Sequence, residues 1–349
     1  MLTDLQVKNF RCFESLVVRL NPGFNFFVGA NAEGKTSILE AVCVLLRLQS
    51  QRSATLAPLV RTGAKSFSVA GKYDTHALYF QYGGLRRKLE FDGVDQRTAT
   101  DYLQIARVVS FANSDIEMVR GRSEPRRRYL DFIGSQIDPK YRPTLRAYER
   151  ALRSRNALLK SNPLRLRELV AYDPPLIEHG MRLRTMRAEV VKRLAPFVGA
   201  AHVEISEGKE RVDMYFAPGN SDDFAADLTR THEQEIRLRQ TMVGPHRDDI
   251  DLFVDGMNAQ VYASEGQQRT LALALKIGQS QLFGESGNVP MLLLDDIFGE
   301  LDPGRRHRLL ASLPQGTQKL VTATAAQWPK ELGRGVTFQI ENREVKRES

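Results

Sequence analysis

Only two of the 349 residues are cysteine, Cys12 and Cys43, and they form no C-x-x-C pair. That scarcity argues against a disulfide scaffold or a thiolate metal site and suits a reducing, cytoplasmic setting. Long apolar runs are missing too: none approaches the ~18 residues needed to span a bilayer. The opening Met1-Leu2-Thr3-Asp4 has no basic-then-apolar leader pattern. No membrane role is expected. Internal repeats and low-complexity linkers are absent, and the single tryptophan, Trp328, is too isolated to act as a stacking platform. What remains is an ordinary globular composition, long enough for one large domain or two modest ones.

One stretch organises the rest. Gly29-Ala30-Asn31-Ala32-Glu33-Gly34-Lys35-Thr36 is a G-x-x-x-x-G-K-T loop. The apolar run Phe24–Val28 leads in as a buried strand, and Ser37–Leu46 leads out with apolar residues at helical spacing. Glycines let successive backbone N–H groups point into one concavity, and the helix N-terminus adds partial positive charge. Lys35 would reach the terminal phosphates and Thr36 would hold Mg²⁺ through its hydroxyl. The signal is that of a nucleoside triphosphate site.

Around it, residues 3–20 read as a strand hairpin, 66–97 as an antiparallel meander that would cover base and ribose, and Val108–Phe111 as another core strand. From Ser114 to about Leu194 the chain becomes helical and arginine-rich. Residues 120–193 hold 19 Lys/Arg against 8 Asp/Glu, a net of +11, so the remainder sits at −3 beneath the overall +8. Arg146, Arg150 and Arg153 fall on one helix face, with Arg142 in line before Pro143 starts the helix, and Leu145, Leu152 and Leu159 form an apolar seam. Such a face could simply be solvated, but only Glu149 interrupts its single sign. Backbone phosphates of nucleic acid are the expected partner. The helix from Leu176 ends at Leu194, before Pro196. His202–Ile205 and Val212–Phe216 then alternate as strands, and a polar helix covers 222–240.

The second half of the site comes late. Ser264-Glu265-Gly266-Gln267-Gln268 opens an apolar-periodic helix, and Pro290–Leu294 is a buried strand ending in Asp295-Asp296. Asp295 would hold Mg²⁺ and Asp296 would orient or deprotonate the attacking water. Gly299-Glu300-Leu301-Asp302 follows, then Lys319–Thr324 as a last core strand. Each motif alone is weak apart from the loop. Loop, S-x-G-Q helix, apolar-D-D and x-L-D in this order form the series of an ABC-type ATPase. In that arrangement Ser264, Gly266 and Gln267 make a second anion site that faces the γ-phosphate held by another copy.

About 230 residues separate Thr36 from Ser264. That is long for a transporter nucleotide-binding domain, yet too short and too proline-interrupted for an SMC coiled coil. The sequence resembles the RecF family of bacterial recombination mediators over nearly its whole length. Matching stretches include Val7-Lys8-Asn9-Phe10-Arg11, Pro125-Arg126-Arg127-Arg128-Tyr129-Leu130-Asp131, Tyr148–Leu152 and Gly244-Pro245-His246-Arg247-Asp248-Asp249, of which Arg126–Asp131 and Gly244–Asp249 are specific, since neither belongs to ABC proteins at large. The resemblance implies an α/β ABC-type ATPase head, with a mixed sheet, a phosphate-loop helix and an antiparallel β layer, carrying an inserted helical arm lobe. The head would occupy 1–112 and 241–349, the arm 113–240. It further implies a weak, DNA-stimulated ATPase using ATP and Mg²⁺. The protein would be a nucleoid-associated homodimer that clamps duplex DNA and works with RecR and RecO to place RecA on gaps.

Arg126, Arg127 and Arg128 are compatible with DNA contact or with bracing between lobes. His246 reads as a hydrogen-bonding residue that fixes the Gly-Pro turn, with a catalytic role as the alternative. Asp248 and Asp249 read as partners for nearby arginines. No glutamate follows Asp295, no switch histidine follows the strand at 319, and no Q-loop glutamine is evident between Ser110 and Asp115. These departures predict slow turnover. The rival readings are a transport ATPase subunit and a metabolic P-loop kinase. The latter leaves the S-x-G-Q helix unexplained.

Overall fold

A helix that is apolar on every side must be covered on every side. Lys35–Arg47 is such a helix, and Ile38 through Leu46 are at most 1% exposed. Two sheets of one compact unit enclose it. The computed structural model describes all residues but Ala54, Leu85, Ser286, Asn288, 325–334 and Ser349, and all their side chains but that of Glu300. Trp328 therefore lies outside the described residues.

In chain order, β1 (Leu2–Phe10) and β2 (Phe13–Arg19) form a hairpin, and β3 (Phe24–Gly29) runs into the phosphate loop. The meander comprises β4 (Phe67–Tyr73), β5 (His76–Gly83), β6 (Arg86–Phe91) and β7 (Val94–Asp95); β8 (Val108–Ala112) follows it. The middle of the chain contributes β9 (Val212–Ala217), β10 (Asp249–Val254) and β11 (Met257–Asn258). Last come β12 (Met291–Asp295), β13 (Lys319–Ala323), β14 (Gly335–Glu341) and β15 (Glu344–Arg347).

Residues Met1–Ser114 and Phe283–Ser349 make one unit, Asp115–Leu282 the other. In the first, an antiparallel sheet ordered β2-β1-β4-β5-β6-β7 faces one side of the central helix, and a sheet ordered β15-β14-β3-β13-β12-β8 faces the other. The strands β14, β3, β13, β12 and β8 are mutually parallel. Here β14 corrects the expectation that Lys319–Thr324 is the last core strand. It pairs with β3 on the side away from β13, which makes the phosphate-loop strand interior. A Cβ on Gly29 would lie 2.4 Å from the Ile340 carbonyl oxygen, so the loop's first glycine is fixed by this neighbour as well as by phosphate chemistry. Parallel strands leave their carboxyl ends level. Asp295 sits opposite Thr322 on one side and Ala112 on the other, while Thr322 sits opposite Phe27. Ligands of open α/β sheets bind at such an edge.

In the second unit the helices Tyr141–Leu159 and Asp173–Ser206 pack together around Tyr141, Tyr148, Leu176, Leu183 and Phe224. Three expectations are corrected here. The longer helix runs through Pro196 and carries His202–Ile205, which is not a strand. Ala201, His202 and Ile205 are at most 1% exposed, so one helical face is buried and tertiary packing outweighs the ~3 kcal/mol that an interior proline costs. Arg142 and Pro143 lie inside the first of these helices. Residues 241–282 belong to this unit, not to the one with the phosphate loop, because β10 pairs antiparallel with β9.

Several arginines of the basic stretch turn inward. Arg187 is 3% exposed; it donates to Asp131, to Asp248 and to the Pro245 carbonyl. Burial works to lower its pKa, but Asp131, Tyr141 and Asp248 outweigh that and raise it. Arg155 reaches Asp173 at 2.8 Å and Glu235 at 2.7 Å. Asp248 and Asp249 thus pair with arginines, as the sequence suggests. His246 is the hydrogen-bonded turn residue. Its Nε2 lies 2.9 Å from the Thr241 carbonyl, which can only accept, so Nδ1 accepts from the Tyr148 hydroxyl at 2.7 Å.

Burial pushes the His246 pKa down to about 4, with Arg247, Arg127 and Arg187 acting in the same direction. The unfolded chain therefore takes up this proton first. The resulting stability is complete above pH ~6.5 and declines as pH falls toward about 4. Urea denaturation followed across that window should show a falling midpoint, and His246→Gln should flatten this part of the slope.

Candidate active site

The loop after β3 wraps the N-terminus of the central helix. Gly34 caps that helix at φ 102°, a conformation that favours glycine. A Cβ there would lie 2.6 Å from Cys12 Sγ and 2.7 Å from the Phe13 ring, so the β1–β2 turn floors the loop. The Lys35 ammonium folds across the loop and donates to the Gly29 and Ala30 carbonyls, each at 2.7 Å. Burial lowers its pKa, opposed by Asp296, Asp295 and Glu33. Glu33 accepts from the Arg343 backbone N–H at 3.0 Å, which ties the loop to the β14–β15 turn.

Across the edge, Asp295 Oδ1 accepts from Thr36 Oγ1 and from Thr322 Oγ1, both at 2.8 Å. The structure thus brings Lys35, Thr36, Asp295 and Asp296 into one open cleft of about 700 Å³, a volume that suits a nucleotide. Asn31 and Ala32 line it as well, and Arg11, Arg52, Arg61 and Arg343 make its wall basic. Arg11 is held by a bidentate pair with Glu40, which is 0% exposed on the central helix. A hydroxyl and a carboxylate meeting at 2.8 Å are the hard oxygen donors that Mg²⁺ takes alongside water and phosphate oxygens. The residues fit that ion.

Ser264, Gly266 and Gln267 lie in the other unit. Ser264 precedes the helix Glu265–Gly284. Its Oγ accepts from the Gln267 backbone N–H at 3.3 Å, and its own N–H donates to Gln267 Oε1 at 2.8 Å. This is a capping box. Asp302 caps the helix Pro303–Ser312 by accepting from the Arg305 N–H. Of the arginines expected to touch DNA, Arg146, Arg150 and Arg153 are exposed on the helix Tyr141–Leu159, and Arg128 is exposed 3.7 Å from Glu124. Arg127 is half-buried and donates to Ser123 and to the Asp248 carbonyl. Arg126 is corrected: 5% exposed and bidentate to Asp249, it braces the unit and cannot meet a phosphate.

The sequence reading missed Thr322's bonds to the Asp295–Asp296 step and the side chain of Asn113. Thr322 lies on β13 and Asn113 follows β8, the strands that flank β12, and only the register reveals them.

The fold and this site define a P-loop ATPase head of the SMC type. Residues 1–346 match the model of the RecF/RecN/SMC N terminal domain. Heads of Smc proteins share the fold; one bound to the C-winged helix domain of ScpA aligns with a TM-score of 0.56 at 15% identity, over 99% of this chain and 96% of that one. Relatives are more similar. The DNA replication and repair protein RecF of Symbiobacterium thermophilum is 36% identical over 95% of this chain and 94% of its own length. That of Lactococcus lactis is 32% identical over 99% of both. The solved structure of the recombination mediator protein RecF-ATPrS in the RecFOR pathway aligns with a TM-score of 0.88 at 28% identity, covering 100% of this chain and 98% of that one. The chain belongs to the RecF family.

Gly34→Ala adds a methyl group where Cys12 and Phe13 already stand and forces alanine to a positive φ. Strain of the usual ~1–3 kcal/mol corresponds to roughly fivefold to 150-fold weaker nucleotide binding. Equilibrium titration with a fluorescent ATP analogue measures it.

Proposed function

We propose that this chain is an ATP-switched clamp on duplex DNA that acts in recombinational gap repair and at replication forks. The observation that carries it is the convergence of Lys35, Thr36, Asp295 and Asp296 on one strand-edge cleft. The loop N–H groups and Lys35 cradle the ATP phosphates. Thr36 and Asp295 hold Mg²⁺, which neutralises charge on the β- and γ-phosphates when bound. Asp296 orients the water whose oxygen bonds to the γ-phosphorus as the bond to the ADP oxygen breaks, and it takes up the water's proton. Aspartate is shorter than the glutamate of faster ABC enzymes, which suits a timer better than a motor.

Ser264, Gly266 and Gln267 are the second anion site of this scheme. They hold the γ-phosphate bound to another copy, so ATP favours the dimer and hydrolysis removes the shared group. Arg146, Arg150 and Arg153 supply backbone-phosphate contacts on DNA. By analogy with its relatives, this chain acts with RecO and RecR, upstream of RecA.

Sedimentation velocity tests the switch. The expected result is a dimer with ATP and duplex DNA, a monomer with ADP, and a monomer for Lys35→Ala under every condition. A monomer throughout for the wild-type chain would end the proposal. Salt dependence tests the arginines. Replacing Arg146, Arg150 and Arg153 together by alanine should reduce the log–log slope of duplex binding by about 2 to 3.

A further inference from the structure

Asp296 adopts φ 52°, a left-handed conformation uncommon outside glycine that aspartate and asparagine enter more readily than most residues. Its peptide groups are gripped from both sides. The Asp296 N–H donates to Thr322 Oγ1 at 2.9 Å, and the Asp296 carbonyl accepts from Asn113 Nδ2 at 3.2 Å. Thr322 is the penultimate residue of β13 and Asn113 follows β8; these are the two strands that flank β12. The Thr322 hydroxyl also gives its own proton to Asp295 Oδ1 at 2.8 Å. One oxygen therefore fixes the carboxylate of Asp295 and the backbone of Asp296, and it is itself fixed, since Thr322 is 1% exposed.

We propose that Thr322 and Asn113 are positioning residues that hold Asp296 in its left-handed turn and aim its carboxylate at the attacking water. This rests on the ATPase reading given above. The role differs from that of a γ-phosphate sensor. A sensor donates its hydroxyl proton to the nucleotide's phosphate, whereas the Thr322 proton is already given to Asp295, and one lone pair accepts from the Asp296 N–H. It also differs from plain packing, because valine has nearly the shape of threonine and lacks only the oxygen.

The full chain is assayed as wild type, Thr322→Val, Thr322→Ser, Asn113→Ala, Asp296→Asn, Lys35→Ala and the double variant Thr322→Val/Asp296→Asn. Thr322→Val should lower kcat at least about tenfold, a part of what a well-placed general base supplies. Its dissociation constant for Mg²⁺-free ATP should stay within about twofold of wild type, because the hydroxyl touches the Asp295 carboxylate and the Asp296 backbone and not the phosphate loop. Thr322→Ser, which keeps the oxygen, should restore kcat. Asn113→Ala should lower kcat in the same sense as Thr322→Val. Amide exchange across Asp295–Phe298 should accelerate in Thr322→Val and not in Thr322→Ser. Because the aiming of Asp296 no longer matters once its carboxylate is gone, the double variant should lose much less than the product of the two single losses. Full additivity, or a Thr322→Val variant with unchanged kcat beside Lys35-dependent hydrolysis by the wild type, would overturn the assignment and leave the ATPase reading standing. Wild-type chain without Lys35-dependent hydrolysis would overturn both.

Discussion

One carboxylate oxygen holds the site together. Asp295 Oδ1 receives a hydroxyl from Thr36, on the second residue of the central helix, and another from Thr322, on the neighbouring strand. A half-buried carboxylate needs donors, and two short hydroxyls provide them without adding charge. The arrangement is possible only because β13 and β12 end level, with Thr322 directly opposite Asp295. Shifting either strand by one residue would turn these side chains to the other face of the sheet. The phosphate loop depends on the same edge from its other side. Gly29 lies so close to Ile340 of β14 that any side chain would push that strand away. Parallel pairing thus fixes the positions of groups that sit nearly 300 residues apart in sequence.

The arginine-rich unit obeys a different constraint. Arg126, Arg155 and Arg187 are each at most 5% exposed, and their partners come from distant segments: Asp249, then Asp173 and Glu235, then Asp131 and Asp248. Buried pairs of this kind add little net stability compared with apolar packing, but removing one member leaves a charge stranded at a cost of about 3–5 kcal/mol. They act as staples for chain segments that local propensity alone would not bring together. They also change the meaning of the net charge. A surplus of +11 over residues 120–193 overstates the field outside the molecule, because part of it is neutralised within. The positive surface that remains includes Arg146, Arg150 and Arg153 on one helix.

This division explains what could be read before any coordinates. The phosphate loop and the Asp-Asp strand were legible because their chemistry is local: a turn, a helix start and a strand end within a few residues. The antiparallel meander over 66–97 showed itself through the alternation of apolar and polar residues. Arg126 was ambiguous because its partner Asp249 lies 123 residues away, and nothing in a basic run says which member faces inward. The helix through Pro196 was misread for a related reason. Four alternating residues fit either period, and the packing that favours helix is tertiary. The bonds of Thr322 to Asp295 and Asp296 escaped notice because they exist solely in the register between β12 and β13. β14 follows 325–334, and nothing in the sequence alone places it beside β3.

The serine before the S-x-G-Q helix illustrates how one residue can serve folding and ligand at once. Ser264 Oγ accepts from the Gln267 N–H, and the Gln267 side chain returns the bond to the Ser264 N–H. Capping does not exhaust the serine, because a hydroxyl has two lone pairs and one proton. The cap uses a lone pair, so the proton is left for an anion. The cap also restrains the hydroxyl's direction and sets it at the helix start, where the backbone's partial positive charge is concentrated. Gln267, by contrast, already has its amide oxygen committed, and only its NH₂ group remains to donate. In the two-copy scheme proposed here the serine therefore binds the γ-phosphate directly, the glutamine serves first as its support, and the requirement for both at this spacing follows from the capping box before any nucleotide is considered.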